Sequence, residues 1–299
     1  CNWWQVRHIR PVMEGLLFIK MHGLGNDFVI IDGRRISHDQ PLESLIDGEA
    51  SARIADRHRG IGCDQLILLA APKNSDAQTF MHIRNADGSE SSACGNATRC
   101  VAALLMDENG GDEAIIETNA GILIAEGADN GVRVDMGEPG LDWRDIPLAQ
   151  DEDTLHLPLQ AGSVSDPAAC SMGNPHATFF VDAIDALDLK TIGPVLEHDP
   201  IFPERANIGF AEIKNKNELR LRVWERGAGL TQACGTGACG TVVNGIRRGL
   251  LGRTVICHLD GGTLEIEWRE ADNHVLMSGP VSVAFTGMVA PSLITGKGL

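Results

Sequence analysis

The sequence is short of positive charge and of long apolar runs. Among its 299 residues, 25 Lys and Arg stand against 41 Asp and Glu, which gives a formal net charge of −16. Such an acidic surface repels nucleic acid and anionic lipid, so we expect no nucleic-acid partner. No apolar run approaches the roughly 18 residues that cross a bilayer, which argues against membrane insertion. Hydrophobic residues still make up 43% of the chain, enough for a packed core.

The chain also lacks the crowding of cysteines that marks small disulfide-bonded domains. Its eight cysteines are spread over the whole length, which predicts free thiols in a reducing cytoplasm. No pair forms the short C-x₂-C knuckle of structural zinc, so we expect no metal site. Six are expected to be small buried hydrophobes: Cys1, Cys63, Cys100, Cys170, Cys239 and Cys257.

Short β-rich runs alternate with glycine-containing turns from Met13 onward, and we expect Met13 to be the natural start and residues 1–12 an extension outside the fold. The pattern predicts strands at 16–21, 28–32, 65–70, 79–85, 114–118, 121–126, 132–136, 154–159, 177–182, 206–213, 218–224, 255–260, 263–268, 274–279 and 281–287. It predicts helices at 42–58, from Cys94 to just before Gly110, and at 242–249.

Residues 81–99 and 219–239 share one order of features, 140 residues apart. In each, an Ala-Cys-Gly step follows a strand and a loop and precedes an apolar helix, and nine residues before the cysteine stands Asn85 or Glu225. We interpret the chain as a duplicated α/β unit. The predicted parts are 13–137, with Cys94, and 138–278, with Cys234, while 279–299 returns to the first half.

The two Ala-Cys-Gly steps carry the chemistry. The N–H groups of Gly95-Asn96 and Gly235-Thr236 open their helices and have no partner within them, so they can bind a carboxylate. The same helix ends favour thiolate over thiol at Cys94 and Cys234. Two such thiols suit removal of a proton from one face of a carbon beside a carboxylate and its return to the other, which is racemisation or epimerisation.

Amides and charges gather in the other strand-end loops. Taken singly, Asn174 fits turn chemistry, His176 a buried strand histidine, and Glu225-Arg226 a solvated ion pair. Taken together, the amides suit recognition of a zwitterionic amino acid: Asn26, Gln65, Asn85, Asn174 and Asn207.

A dinucleotide site is the alternative from a different class. Gly235–Gly240 matches G-x-G-x-x-G, and Asp260 follows at the expected distance. In that fingerprint the first glycine closely follows a strand, whereas nine residues separate Trp224 from Cys234 here. We therefore regard a dinucleotide-dependent oxidoreductase as much the weaker interpretation.

Several motifs resemble those of the diaminopimelate epimerase family: HGLGNDFVIID, RGIGCDQLILL, NADGSESSACGN, ETNAG, GNPHATFFV, ERANIGFAEI and WERGAGLTQACGTGAC. The resemblance implies two pseudo-symmetric α/β halves, each a curved, mostly antiparallel sheet around a central helix, with the active site in the cleft between them. It implies interconversion of LL- and meso-diaminopimelate on the route to lysine and peptidoglycan, without pyridoxal phosphate, metal or other cofactor.

The same resemblance implies roles for single residues. Cys234 would accept the α-proton and Cys94 return one in the LL direction, with His176 and Glu225 assisting. The remaining matches would bind the substrate: Gly95, Asn96, Gly235 and Thr236 its reacting carboxylate, and Asn26, Gln65, Asn85, Asn174, Asn207, Glu225 and Arg226 its other polar groups.

The chain departs from the family pattern at two places. Ala97-Thr98 stands where relatives often carry Gly-Ala, and the sequence contains no tyrosine, so Phe285 replaces a tyrosine that relatives place at a dimer contact. We still expect a homodimer with Phe285 near the contact. The nearest rival, a proline or hydroxyproline racemase, would show DRSPCGTG near the second cysteine, where this chain has ERGAGLTQACGTG.

Overall fold

A computed structural model describes residues 16–35, 40–91 and 94–297. The chain divides into two compact units, one comprising residues up to Val132 together with those from Pro280 onward, and the other Arg133–Gly279. The predicted extension at 1–12 and the predicted start at Met13 lie outside the described residues. In the described part of the chain, no helix combines the length and the apolar composition needed to cross a membrane.

The first unit surrounds one long helix with strands. Its elements, of which the last runs into the second unit, are β1 (Leu16–Gly23), β2 (Asn26–Asp32), α1 (Leu42–Leu45), α2 (Gly48–Ala55), β3 (Gln65–Ala70), β4 (Thr79–Asn85), β5 (Glu90–Ser91), α3 (Gly95–Asn109), β6 (Glu113–Thr118), β7 (Gly121–Ala128) and β8 (Gly131–Asp135). Only the β2–β3 and β4–β6 pairs are parallel among the pairings described for β1 to β7. The sheet is therefore mostly antiparallel.

The second unit has the same plan. Its elements are β9 (Gln160–Ala161), β10 (Val164–Ser165), β11 (Ala168–Ser171), β12 (Pro175–Phe180), α4 (Leu189–Glu197), β13 (Asn207–Asn215), β14 (Glu218–Glu225), β15 (Gly229–Leu230), α5 (Gly235–Arg247), β16 (Thr254–Leu259), β17 (Gly262–Trp268) and β18 (Val275–Gly279). A 3₁₀ turn at Ile184–Ala186 precedes α4.

The order of pairings repeats between the units. In the first unit an antiparallel β1–β2 pair leads to parallel β2–β3, antiparallel β3–β4, parallel β4–β6 and antiparallel β6–β7. In the second, β11–β12, β12–β13, β13–β14, β14–β16 and β16–β17 follow the identical alternation. The predicted fold class of two pseudo-symmetric α/β halves is confirmed.

After the second unit the chain returns to the first. There β19 (Ser282–Val289) pairs antiparallel with β1, from Leu16↔Val289 to His22↔Ser282. It is followed by α6 (Pro291–Thr295), which packs against α2. The Arg53 guanidinium of α2 donates to the carbonyls of Leu293 and Ile294 at 2.9 and 2.7 Å, and so caps the end of α6.

The central helices of the two units, α3 and α5, each begin directly after a cysteine for which the sequence predicts a catalytic role. Cys94 is the N-cap of α3 and Cys234 that of α5, each with extended backbone (φ −154° and −119°). Gly110 ends α3 in the left-handed conformation, as its position in the sequence predicts. The helix predicted at 242–249 instead begins at Gly235 and ends at Arg247.

The single helix predicted over 42–58 is wrong. The segment forms α1 and α2, separated at Ile46 and Asp47. The Asp47 carboxylate accepts a hydrogen bond from Ala50 N at 2.8 Å and thereby starts a new helix. The apolar spacing continues through both helices, so it could not reveal the break.

The strand predicted at 154–159 is also wrong. Its side chains alternate in burial, as in a strand. However, Leu159 N donates a hydrogen bond to Leu157 O at 2.8 Å, which closes a local turn around Pro158. Proline also lacks the N–H that pairing with a neighbouring strand requires. Several elements were not predicted: β11, α4, α6 and the two-residue strands β5, β9, β10 and β15. The Gly193-Pro194 step resembles a helix break but lies inside α4, which the Asp188 side chain caps through Thr191 N.

Candidate active site

The first unit surrounds Cys94 with amides. The Asn26 Oδ1 atom accepts a hydrogen bond from Asn96 Nδ2 at 3.1 Å and lies 4.0 Å from Cys94 Sγ. The Asn96 Oδ1 atom accepts in turn from the fully buried Arg99 at 3.0 Å. We call Cys94, Asn26 and Asn96, with Gln65 and Asn85 at the neighbouring strand ends, the first half-site.

Charged residues fix the Asn26 amide. Its Nδ2 donates to Asp64 Oδ2 at 2.9 Å, which leaves Oδ1 directed at Cys94 and Asn96. Arg57 donates to both Asp27 and Asp64. Burial alone raises the pKa of Asp27, but the hydrogen bonds and charges of Arg57 and Lys20 outweigh burial and hold that pKa well below its usual range.

The ends of β3 and β4 carry a second amide pair. Gln65 Nε2 donates to Asn85 Oδ1 at 3.0 Å, and Asn85 Nδ2 donates to Ser89 Oγ at 3.0 Å. The buried Gln65 Oε1 has no hydrogen-bond partner among the described residues. Because a buried acceptor without a donor is costly, this oxygen is available to a ligand N–H.

The second unit places Cys234 beside a carboxylate, and we call Cys234, Glu225, Thr236, His176, Asn174, Asn207 and Arg226 the second half-site. Cys234 is 5% exposed. Burial raises its pKa well above the usual range, and the charge of Glu225 and its hydrogen bond raise that pKa further. The Glu225 Oε1 atom also accepts from the Thr231 hydroxyl. The thiol form of Cys234 is therefore favoured in the free protein, so the sequence expectation that its helix end favours thiolate is wrong for this residue.

The histidine of the second half-site is neutral. His176 is 2% exposed, and burial, aided by the charge of Arg226, lowers its pKa to about 3. Its Nε2 lies 2.7 Å from Asn174 Oδ1. Because that oxygen is an acceptor, the ring carries its proton on Nε2.

Asn207 and Arg226 are linked through the backbone. Asn207 Oδ1 accepts from Arg226 N at 2.9 Å, and its Nδ2 donates to Pro175 O at 3.2 Å. The Arg226 guanidinium donates to the Glu204 carbonyl at 3.0 Å. Asn207 therefore holds the turn that carries Arg226 against the start of β12.

The surroundings of Gly235–Gly240, the segment that matches G-x-G-x-x-G, differ from those of a dinucleotide-binding site. Asp260, the acidic residue of that fingerprint, bonds to Arg220 and Arg222 within its own unit. A turn and the short strand β15 lie between β14 and the first glycine of α5. The tight strand-to-helix turn of a dinucleotide site is therefore missing from this described segment.

The other cysteines behave as expected from the sequence. Cys63, Cys100, Cys170, Cys239 and Cys257 are buried. Burial raises the pKa of the Cys63, Cys100, Cys170 and Cys257 thiols. Cys1 lies outside the described residues.

Three supporting residues were not found from the sequence: Asp64, Glu197 and Thr231. Asp64 stands directly before Gln65 in RGIGCDQLILL, so that motif could have indicated it. Glu197 lies on the unpredicted α4 and contacts Trp224 and Gly227. No local pattern in the sequence points to it.

Solved structures identify the class of fold. A hydroxyproline epimerase from Agrobacterium vitis matches with a TM-score of 0.65 at 15% identity, over 94% of this chain and 94% of that one. A probable proline racemase from Agrobacterium radiobacter K84 matches with a TM-score of 0.64 at 17% identity, over 93% and 95%. The chain thus shares its fold with these two solved structures, one named an epimerase and the other a probable racemase.

Sequence comparison then gives the family. The family model described as diaminopimelate epimerase matches residues 18–141 and 168–284. A diaminopimelate epimerase of Acidiphilium cryptum (strain JF-5) is 58% identical, over 93% of this chain and 97% of its own length. One from Rhodospirillum centenum is 54% identical, over 94% of each. The chain belongs to the diaminopimelate epimerase family.

Proposed function

We propose that this protein interconverts LL- and meso-2,6-diaminopimelate by moving a proton at one α-carbon, as an isomerase on the route to lysine and peptidoglycan. The observation that carries the proposal is the pair of cysteines, Cys94 and Cys234, each the N-cap of a central helix. The family membership supports the substrate, since its named relatives are 46–58% identical to this chain.

In the LL direction Cys234 removes the α-proton and Cys94 delivers one to the opposite face. The Cys234 thiol is hydrogen-bonded to Glu225, which receives its proton when the thiolate forms. Because the surroundings raise the pKa of Cys234, its thiolate is a strong base once formed, and a weak carbon acid requires one. The reverse reaction exchanges the two roles.

The remaining groups bind the substrate. The first N–H groups of α3 and α5, at Gly95-Asn96 and Gly235-Thr236, stabilise the carboxylate as charge spreads into it. The neutral His176 assists at the reacting centre without adding a charge. The distal polar groups are bound by Asn26, Gln65, Asn85, Asn174, Asn207 and Arg226. This chemistry needs no cofactor, and its free thiols suit the cytoplasm.

The test is incubation of the purified protein with LL-diaminopimelate in D₂O. We expect the meso isomer to form with deuterium at the inverted α-carbon, detected by chiral chromatography and mass spectrometry. Addition of a thiol reductant should preserve the rate, since both sulfur atoms must be reduced. Proline and 4-hydroxyproline serve as controls and should not be inverted. Inversion of either one in place of diaminopimelate would contradict the proposed substrate.

We also propose that the protein is a homodimer that uses β19. Leu17, Phe285 and Met288 are 51%, 49% and 47% exposed, and Leu17 and Met288 are direct partners across β1 and β19. An apolar edge of this kind is suited to covering by a second copy. In sedimentation experiments Phe285→Arg should yield monomer, while Val195→Arg, at a site 59% exposed in the other unit, should not. A dimeric Phe285→Arg variant would contradict the predicted contact.

A further inference from the structure

The turn that follows β14 carries two residues of the second half-site. Glu225 ends the strand, Arg226 follows, and Ala228 N closes the turn on Glu225 O at 3.1 Å. Gly227 has a φ of +75°, which the third residue of a type II turn requires. Because Glu225 is hydrogen-bonded to Cys234, the position of this turn decides where the carboxylate meets the sulfur.

A buried carboxylate binds the chain on both sides of that turn. Glu197, the last residue of α4, is 3% exposed. Its Oε2 accepts from Trp224 Nε1 at 2.8 Å, and its Oε1 accepts from Gly227 N at 2.9 Å. These two donors flank Glu225 and Arg226 in the sequence, so one side chain fixes both ends of the segment that carries them.

Helix α4 has a glycine where the Trp224 indole packs against it. Gly193 lies one turn before Glu197, and a Cβ at Gly193 would come within 2.4 Å of Trp224 Cδ2. The indole therefore packs on bare backbone while its N–H reaches the carboxylate. Charge compensation comes from Arg205, whose Nη1 lies 3.6 Å from Glu197 Oε1. Because a buried carboxylate without partners is costly, the folded protein is expected to keep the contacts of Glu197 with Trp224 and Gly227.

We propose that Glu197 is a positioning residue, which holds the turn at residues 225–228 so that the Glu225 carboxylate faces the Cys234 thiol. Glu197 itself touches neither sulfur nor substrate in this scheme and acts through Glu225. The inference rests on the proposed function for its effect on turnover, but its effect on Cys234 can be measured without any substrate.

The experiment compares Glu197→Gln with Glu225→Gln and with the double variant. Gln keeps the shape of Glu197 but presents one acceptor and one amide N–H₂, so either Trp224 or Gly227 loses its partner. The pH midpoint for alkylation of Cys234 by iodoacetamide is followed by mass spectrometry of the peptide that contains Cys234. We expect Glu197→Gln to lower the midpoint in the same direction as Glu225→Gln, and the double variant to lower it no further. Turnover of diaminopimelate should fall about 10- to 100-fold.

Two further variants isolate the effect. Glu212→Gln is the matched control, because Glu212 Oε2 also accepts a backbone N–H, from Ile184 at 3.0 Å, but away from the turn. It should leave the Cys234 midpoint and turnover unchanged. Trp224→Phe removes one donor to Glu197 while keeping a ring, and should lower the midpoint less than Glu197→Gln does. It also serves if Glu197→Gln does not fold.

The outcomes are distinct. An unchanged Cys234 midpoint in folded Glu197→Gln, or a fully additive shift in the double variant, would overturn the positioning role. If the wild-type protein alkylates as expected but does not invert diaminopimelate, the proposed function fails and the midpoints still decide the role of Glu197. If it inverts diaminopimelate and the midpoints do not move, only the inference about Glu197 fails.

Discussion

The two half-sites occupy matching positions in the two units and differ in charge. Gln65 pairs with Asn85 at the ends of β3 and β4, and the corresponding ends of β13 and β14 carry Asn207 and Glu225. The strand position that pairs with Gln65 holds Phe28, while the one that pairs with Asn207 holds His176. The duplicated fold thus supplies one geometry twice, and the side chains give each copy different proton chemistry.

That difference gives the two thiols unlike surroundings. Glu225 and burial favour the protonated form of Cys234, whereas Cys94 faces the oxygen of a neutral amide. Inversion needs one sulfur as thiolate and the other as thiol at the start of a turnover, and the two directions start from opposite assignments. The lesson is that symmetry of the backbone does not imply equivalence of the sites.

The largest expected effect comes from removing either sulfur. Cys94→Ser and Cys234→Ser should each lower the inversion of LL-diaminopimelate about 1,000-fold, because a serine hydroxyl is too weak an acid to form the required base at neutral pH. Chiral analysis of the product measures the loss. Cys257→Ala, at a buried thiol outside both half-sites, is the control. Full inversion by either serine variant would contradict the proposal that both cysteines transfer a proton.

Neutralising Glu225 should make the second half-site resemble the first. In Glu225→Gln the pKa of Cys234 falls, because the negative charge that raises it is gone. Thiolate then forms at lower pH, so the acid limb of kcat/KM in the LL direction moves to lower pH. With the proton acceptor removed, kcat falls about 100-fold. Glu218→Gln, at the other end of β14, should change neither quantity. An acid limb that stays in place would exclude Glu225 as the neighbour of the thiol.

Much of this comparison could be predicted from the sequence. Alternation of apolar side chains placed most strands, because each sheet buries one face. The repeated Ala-Cys-Gly steps indicated where α3 and α5 begin, although the apolar run alone placed the second of these helices at 242–249. Counting back from each cysteine singled out Asn85 and Glu225, which the structure places at matching strand ends. These features depend on neighbours close in the chain.

The supporting contacts could not be predicted, because they join distant residues. Asn26 and Asp64 are 38 positions apart, and Glu197 and Gly227 are 30 apart. Whether a loop amide points at a thiol or into solvent depends on such partners, and no periodicity records them. The roles assigned to the single site residues therefore remain predictions.

The next effect concerns stability in acid and should be confined to the second unit. The pKa of His176 is about 3 in the folded protein and near 6.5 in an unfolded chain. As pH falls below about 6.5, only the unfolded chain gains this proton, so the free energy of unfolding drops by about 1.4 kcal/mol per pH unit. Between pH 7 and pH 5 this single group should cost the protein about 2 kcal/mol.

The measurement is urea unfolding at pH 7 and pH 5, followed by tryptophan fluorescence. The tryptophans of the described chain, Trp143, Trp224 and Trp268, all lie in the second unit. His176→Gln should lose about 2 kcal/mol less than the wild type over this range, since its side chain cannot take up the proton. His156→Gln, with a side chain 58% exposed, is the control and should follow the wild type. Equal acid sensitivity in all three proteins would show that His176 is not the cause.

The smallest effect should separate activity from stability at one helix position. Gly237 and Ala97 each stand three residues after their cysteine. A Cβ at Gly237 would lie 3.1 Å from Cys234 Sγ and 3.0 Å from Val223 Cγ2, so Gly237→Ala should push the sulfur by a few tenths of an ångström. We expect kcat to fall about tenfold. The better helix propensity of alanine offsets much of the crowding, so Tm should change little.

The reciprocal change in the first unit should have the opposite pattern. Ala97 is fully buried, and Ala97→Gly removes a packed methyl group and about 1 kcal/mol of helix propensity. The protein should therefore melt about 2–4 °C lower, measured by circular dichroism, while kcat stays within about twofold of the wild type. Loss of activity in Ala97→Gly with wild-type activity in Gly237→Ala would reverse the expected asymmetry. It would mean that the helix behind Cys94, and not the one behind Cys234, controls where the reacting sulfur lies.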